Sequence, residues 1–82
     1  MIDQIRQIIR RHARLPLDPS ELPVDGDLYE AGMSSHASID VMLALEDDFD
    51  IEFPDRMLTR DVFASIATIA AAVKELQVEA AA

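Results

Sequence analysis

Two adjacent serines carry the chemistry that the sequence offers, in the stretch Gly32-Met33-Ser34-Ser35-His36. A glycine, two hydroxyl residues and then apolar residues of helical period mark a helix start, where one serine suffices as cap. The other keeps a free hydroxyl at the positive end of the helix dipole, a place that favours a phosphate or other anion. A phosphodiester on serine is therefore chemically at home here, and the plainer alternative is that both hydroxyls only cap.

Other chemistries fit the pattern poorly. The stretch is not Gly-x-Ser-x-Gly, because His36 stands where the second glycine would be, and no strand precedes it to form a nucleophile elbow. A triad of an acid, His12 and Ser35 would lack a cleft and an oxyanion hole in so small an aliphatic chain, so the protein is expected not to be an enzyme. Asp48, Asp50 and Glu52 imitate the opening of a calcium loop, yet Phe53 replaces its glycine and Thr59 its closing glutamate. No metal site is expected, only shared screening of the acids by divalent ions. With no cysteine, the chain has neither disulfides nor a thiol nucleophile of its own.

The helix that follows the serines, expected over about 35–48, has more apolar residues than one buried stripe requires. Ser38, Val41, Met42, Leu45 and Phe49 fall in a sector of roughly 100°, which reads as core. Ile39 and Leu43 project outside it among His36, Asp40 and Asp47, and an apolar pair ringed in this way reads as a docking surface. Glu46, Asp47 and Asp48 are either solvated charges or part of what a partner recognises.

The run from Gly32 to Pro54 resembles the centre of an acyl carrier protein: Gly-x-Asp-Ser-Leu, an apolar helix ending in acids and Phe, then an Ile-x-x-Pro exit. Counting back from Phe49, the resemblance places the modified serine on Ser35 and not on Ser34. It implies a small four-helix bundle with a long loop between helices 1 and 2 and a short third helix. It also implies a covalent 4'-phosphopantetheine arm on Ser35, derived from coenzyme A and placed by a phosphopantetheinyl transferase that uses magnesium. The arm's thiol would hold cargo as a thioester and move it between enzymes. Two departures bear on partner choice: Ser34 stands where the family has Asp, and His36 where it has Leu.

The stretch Asp27-Leu28-Tyr29-Glu30-Ala31-Gly32-Met33-Ser34-Ser35, with Phe63-Ala64-Ser65-Ile66, is similar to a bacterial subgroup of small aminoacyl carrier proteins. That resemblance implies loading by an amino acid:carrier protein ligase and delivery to a downstream acyl-accepting enzyme, with glycine or alanine as small cargoes. A fatty-acyl or polyketide carrier and an unmodified acidic helical adaptor are the alternatives.

Composition agrees with a bundle. The chain has 82 residues, enough for one domain, and is 50% hydrophobic with only 5% aromatic residues, so the core must be aliphatic. Sixteen acids against seven bases give a net charge of −9, with Arg6, Arg10, Arg11 and Arg14 confined to the first helix. Such a surface repels nucleic acid and favours basic protein partners. The start lacks the apolar region of a signal peptide, and the run 62–73 is too short to span a bilayer, so a cytoplasmic monomer away from membranes is expected.

The remaining elements position the serines. Ile2, Ile5, Ile8, Ile9 and His12 share one side of a helix over about 2–14, with His12 on the apolar edge as a structural residue. Arg6, Arg10 and Arg14 lie opposite, as a solvated face or one that binds an acidic partner. A long connection over about 15–33 is expected to anchor through Leu22, Leu28 and Met33 under Tyr29. Beyond an extended crossover at 51–54, a short helix is expected over about 57–62. A last helix, over about 66–78 and capped by Ser65, faces inward through Ile66, Ile69, Val73 and Leu76, with a tail, 79–82, that frays.

Overall fold

The isoleucines at 2, 5, 8 and 9 and the three arginine and histidine residues of the last turn produce the first helix, α1 (Ile2–His12). Its cationic end complements the helix dipole. The structure, a computed structural model, describes residues 1–81, with the side chain of Ala81 left aside. It contains two further α-helices, α2 (Ser35–Phe49) and α3 (Ile66–Ala81), and two single 3-10 turns at Pro19–Glu21 and Asp55–Met57. α1 packs on both α2 and α3. The molecule measures 39 × 22 × 20 Å, so its short dimensions hold only two helix diameters of about 10–12 Å and a single layer of core.

That core is aliphatic, as the composition requires. Ile5, Ile9, Leu28, Val41, Leu45, Ile66, Ile69 and Val73 are all fully buried, each contributing on the order of 1.5–3 kcal/mol of transfer free energy. The inner face of α3 is the expected one, and Phe53 packs on Phe63 at 5.3 Å between ring centres. Ser65 caps α3 reciprocally: the Thr68 N–H donates to Ser65 Oγ (3.1 Å) and the Ser65 N–H to Thr68 Oγ1 (3.0 Å).

Three expectations need correction. The four-helix count reduces to three α-helices among the described residues, because the short helix expected over 57–62 is a 3-10 turn at Asp55–Met57 followed by irregular backbone. Leu58 leaves helical geometry (φ −83°, ψ 62°), and Thr59 Oγ1 accepts the Val62 N–H (3.4 Å), a local side-chain bond that competes with the helical one. Second, α1 stops at His12, since the backbone turns left-handed at Arg14 (φ 56°) ahead of Pro16. Third, α3 continues to Ala81, past the expected end at 78. Glu79 lies within it and pairs with Arg56 (3.0 Å), while Ala82, the end of the expected frayed tail, lies outside the described residues.

The connection from 13 to 34 is tied down along its length. Arg6 Nη1 donates to the carbonyls of Pro19 (2.6 Å) and Leu22 (2.7 Å). The Leu28 N–H donates to Ala64 O and the Ala67 N–H to Val24 O, both at 2.7 Å, fastening the loop to the start of α3. Leu28 and Met33 are buried and Leu22 half-buried, as expected of anchors. Asp18 accepts the Ser20 N–H (3.0 Å) and pairs with Arg10 (2.9 Å). The Ser20 hydrogen bonds, then Arg10, hold the Asp18 carboxyl below its ordinary range. The resulting hold on the turn is present above the ordinary carboxylate pKa and is lost as pH falls through the lowered one.

Gly32 closes the connection at φ 121°, and a Cβ there would stand 3.0 Å from Pro16 Cδ. Gly32→Ala is therefore expected to destabilise the fold by about 1–3 kcal/mol, measured as a lowered urea midpoint at unchanged m-value.

Candidate functional site

The Gly32 turn delivers the chain to α2 so that the two serines divide their roles. Ser34 is extended (φ −81°, ψ 163°), and its Oγ accepts the Ala37 N–H at 3.0 Å, so it is the cap. Ser35, the first residue of α2, is exposed, and its hydroxyl has no hydrogen-bond partner among the described residues. The N–H groups of Ser35 and His36 likewise have no acceptor there, as expected of a first helical turn. Ser38 Oγ donates to the Ser35 carbonyl (2.7 Å), a bond that leaves the Ser35 hydroxyl itself unengaged.

This arrangement suits a phosphodiester. Free N–H groups and the dipole stabilise a negative group by about 0.3–1 kcal/mol at an exposed terminus, and with serine rather than aspartate at 34 no carboxylate immediately precedes the hydroxyl. The imidazole of His36 is exposed beside it. An arm attached to Ser35 would thus leave from solvent-facing backbone, with Ser34 keeping the helix capped whether or not Ser35 is modified.

The predicted docking pair stands out along α2. Ile39 and Leu43 are each 53% exposed, while Val41 and Leu45 are completely buried. Asp47 is exposed. Asp40 is half-buried and pairs with Arg14 (3.6 Å), and Glu46 turns inward, its Oε2 accepting the Phe53 N–H (2.9 Å) and so holding the crossover against α2. Of the expected core positions, Ser38, Met42 and Phe49 are only half-buried, whereas Ala37, not expected there, is buried.

The sequence did not reveal an open apolar groove of about 360 Å³ beside Ile39, lined also by Tyr29, Ser38, Met42, Leu58 and Phe63. Tyr29 is half-buried at its edge, with the Arg60 guanidinium 4.0 Å from the ring centre, a cation–π contact. The lining comes from three separated segments, which no single periodicity connects; the exposed Leu58 was the available signal. Among the described residues no helix is long and apolar enough to cross a membrane.

Known proteins resemble this chain in sequence and in fold. Residues 3–73 match the family described as phosphopantetheine attachment site. A curated aminoacyl carrier protein of Agrobacterium fabrum is 47% identical over 70 residues, covering 85% of this chain and 84% of that protein. Among solved structures, one similar chain comes from the crystal structure of an engineered Bradyrhizobium japonicum glycine:[carrier protein] ligase complexed with carrier protein from Agrobacterium tumefaciens and AMP. It is 46% identical, covers 90% of this chain and 99% of its own, and has a TM-score of 0.88. A solution structure of an Agrobacterium tumefaciens protein is 44% identical over the whole of both chains, with a TM-score of 0.75. A family match across most of the sequence, a near-half-identical relative and the same helical frame agree: the chain belongs to the phosphopantetheine-attachment family, a family of carriers rather than catalysts, as a homologue of the aminoacyl carrier proteins.

Proposed function

We propose that Ser35 carries a 4'-phosphopantetheine arm, and that the arm holds an amino acid as a thioester for delivery to an acyl-accepting enzyme. In the attachment step the Ser35 oxygen bonds to the 4'-phosphate phosphorus of coenzyme A, the diphosphate P–O bond breaks, and the nucleotide leaves. The hydroxyl proton passes to a phosphopantetheinyl transferase, so the carrier needs no base of its own. The arm supplies the thiol that the cysteine-free chain lacks. A ligase then spends ATP to form the thioester, docking on Ile39 and Leu43 with the acids around them.

One observation carries this reading: Ser34 does the capping, leaving an exposed Ser35 hydroxyl with no other partner among the described residues. The aminoacyl cargo draws support from the 47% identical relative and from the carrier that occurs in complex with a glycine:[carrier protein] ligase. A charged ammonium also gains nothing from burial in an aliphatic core, whereas a fatty chain would. The same reading places the protein in the cytoplasm, where coenzyme A, ATP and these enzymes meet.

The test is sequential, with mass as the readout. The purified chain is incubated with coenzyme A, magnesium and a broad-specificity transferase, then with ligase, ATP and glycine or alanine, in parallel with a fatty-acid-activating enzyme and its substrate. One arm's mass and then one aminoacyl group are expected. Exclusive loading with fatty acid overturns the cargo, and absence of any arm favours the unmodified adaptor.

A further inference from the structure

Leu43 lines a second concavity, apart from the groove beside Ile39, and this one carries a charge pattern that the net charge conceals. Between α1 and α2 lies an open groove of about 480 Å³ whose walls include Arg11 and His12 on one side and Leu43, Asp47 and Asp48 on the other. Arg11, Asp47 and Asp48 are exposed, and none forms an ion pair among the described residues. Opposite charges thus line one groove without closing on each other. The nearby Asp40 is already paired with Arg14, and Arg6 and Arg10 are engaged by the loop, which leaves Arg11 as the α1 cation in this groove available to a partner.

A uniformly basic partner, the simplest expectation for a chain of charge −9, would be repelled at the Arg11 wall. A bipolar one satisfies both walls and can bind in only one direction along α2, because reversal places like charges together. A second copy of this strongly acidic chain is opposed by the net charge.

We propose that this groove is the second half of the docking surface for the loading enzyme, entered by an element with a basic side chain toward Asp47 and Asp48, an apolar one over Leu43 and an acidic one toward Arg11. The inference rests on the carrier reading above and adds the α1 wall and the polarity of the partner.

The experiment uses the arm-bearing full chain with the Bradyrhizobium japonicum glycine:[carrier protein] ligase, glycine and ATP, following loading by mass. Arg11→Glu is expected to raise KM for the carrier roughly 5-fold, with kcat unchanged and the effect shrinking at high salt, since it reverses one exposed pair. Lys74→Glu makes the same charge change on α3, at an exposed residue, and is expected to leave KM unaltered. Unfolding midpoints of both variants confirm the fold. An Arg11→Glu KM equal to wild type overturns the proposal, as does an equal loss in Lys74→Glu, which would assign the effect to net charge alone. Self-association of the wild type that Arg11→Glu abolishes also overturns it, in favour of a second copy as occupant. If the wild type takes up its arm but no amino acid, the carrier reading's cargo fails first, and this inference with it.

Discussion

Ser35→Ala is expected to abolish arm attachment completely, while Ser34→Ala retains it, although the two hydroxyls are neighbours. The distinction follows from what each oxygen does. Ser34 Oγ is occupied by the Ala37 N–H, and its loss should cost about 0.5–2 kcal/mol of stability without removing the nucleophile. Ser35 has no such bond among the described residues, and alanine is a good helix former, so Ser35→Ala should leave stability within about 0.5 kcal/mol. The two variants therefore exchange effects: one loses attachment and keeps the fold's stability, the other does the reverse. Incubation with coenzyme A and transferase, followed by intact mass and urea titration, measures both. Attachment persisting in Ser35→Ala would move the site to Ser34 or elsewhere and remove the basis of the proposed function.

The second large effect separates the two apolar faces of α2. Leu43→Asp should reduce ligase-catalysed loading about 10–30-fold, the size expected when a central apolar contact worth roughly 2 kcal/mol is lost. The fold should barely respond, because the side chain is 53% exposed and only gains acidic neighbours at 40 and 47. Leu45→Asp, two residues on, places a carboxylate where no side-chain surface reaches water, and should prevent folding near neutral pH. Circular dichroism and loading rates on the same preparations decide. Unfolding of Leu43→Asp would mean that this side chain belongs to the core.

Much of this was visible in residue types. The excess of apolar positions over one buried stripe separated Ile39 and Leu43 from Val41 and Leu45, and the tandem serines announced both cap and spare hydroxyl. Ser65 and the face of α3 were equally plain, because a capping serine ahead of spacings of three and four encodes local geometry. Ala37 was missed because an alanine adds little to a hydrophobic pattern, and α2 is apolar on two sides, so periodicity left the centre of its buried face undetermined by about one residue. The short helix was over-read from Met57 and Val62. The first is buried and the second half-buried, but Thr59 offers the backbone a competing bond that spacing does not reveal. The arginines at 6, 10 and 14 look alike on a helical wheel. Each nevertheless has a different partner: Arg6 and Arg10 meet the 13–34 segment where it folds back beside α1, and Arg14 meets Asp40 of α2, placements set by tertiary packing rather than by local sequence.

The Arg6 clasp on the Pro19 and Leu22 carbonyls, with the two bonds that join the same segment to α3, has a consequence for how cargo travels. A permanently charged side chain spans two peptide oxygens, so the segment that leads to the serines is braced against α1 and α3 rather than hanging loose. Under the proposed function, motion between enzymes would then fall to the tether on Ser35, and the radius a passenger could sweep would be set by the length of that prosthetic chain and by where the protein is gripped.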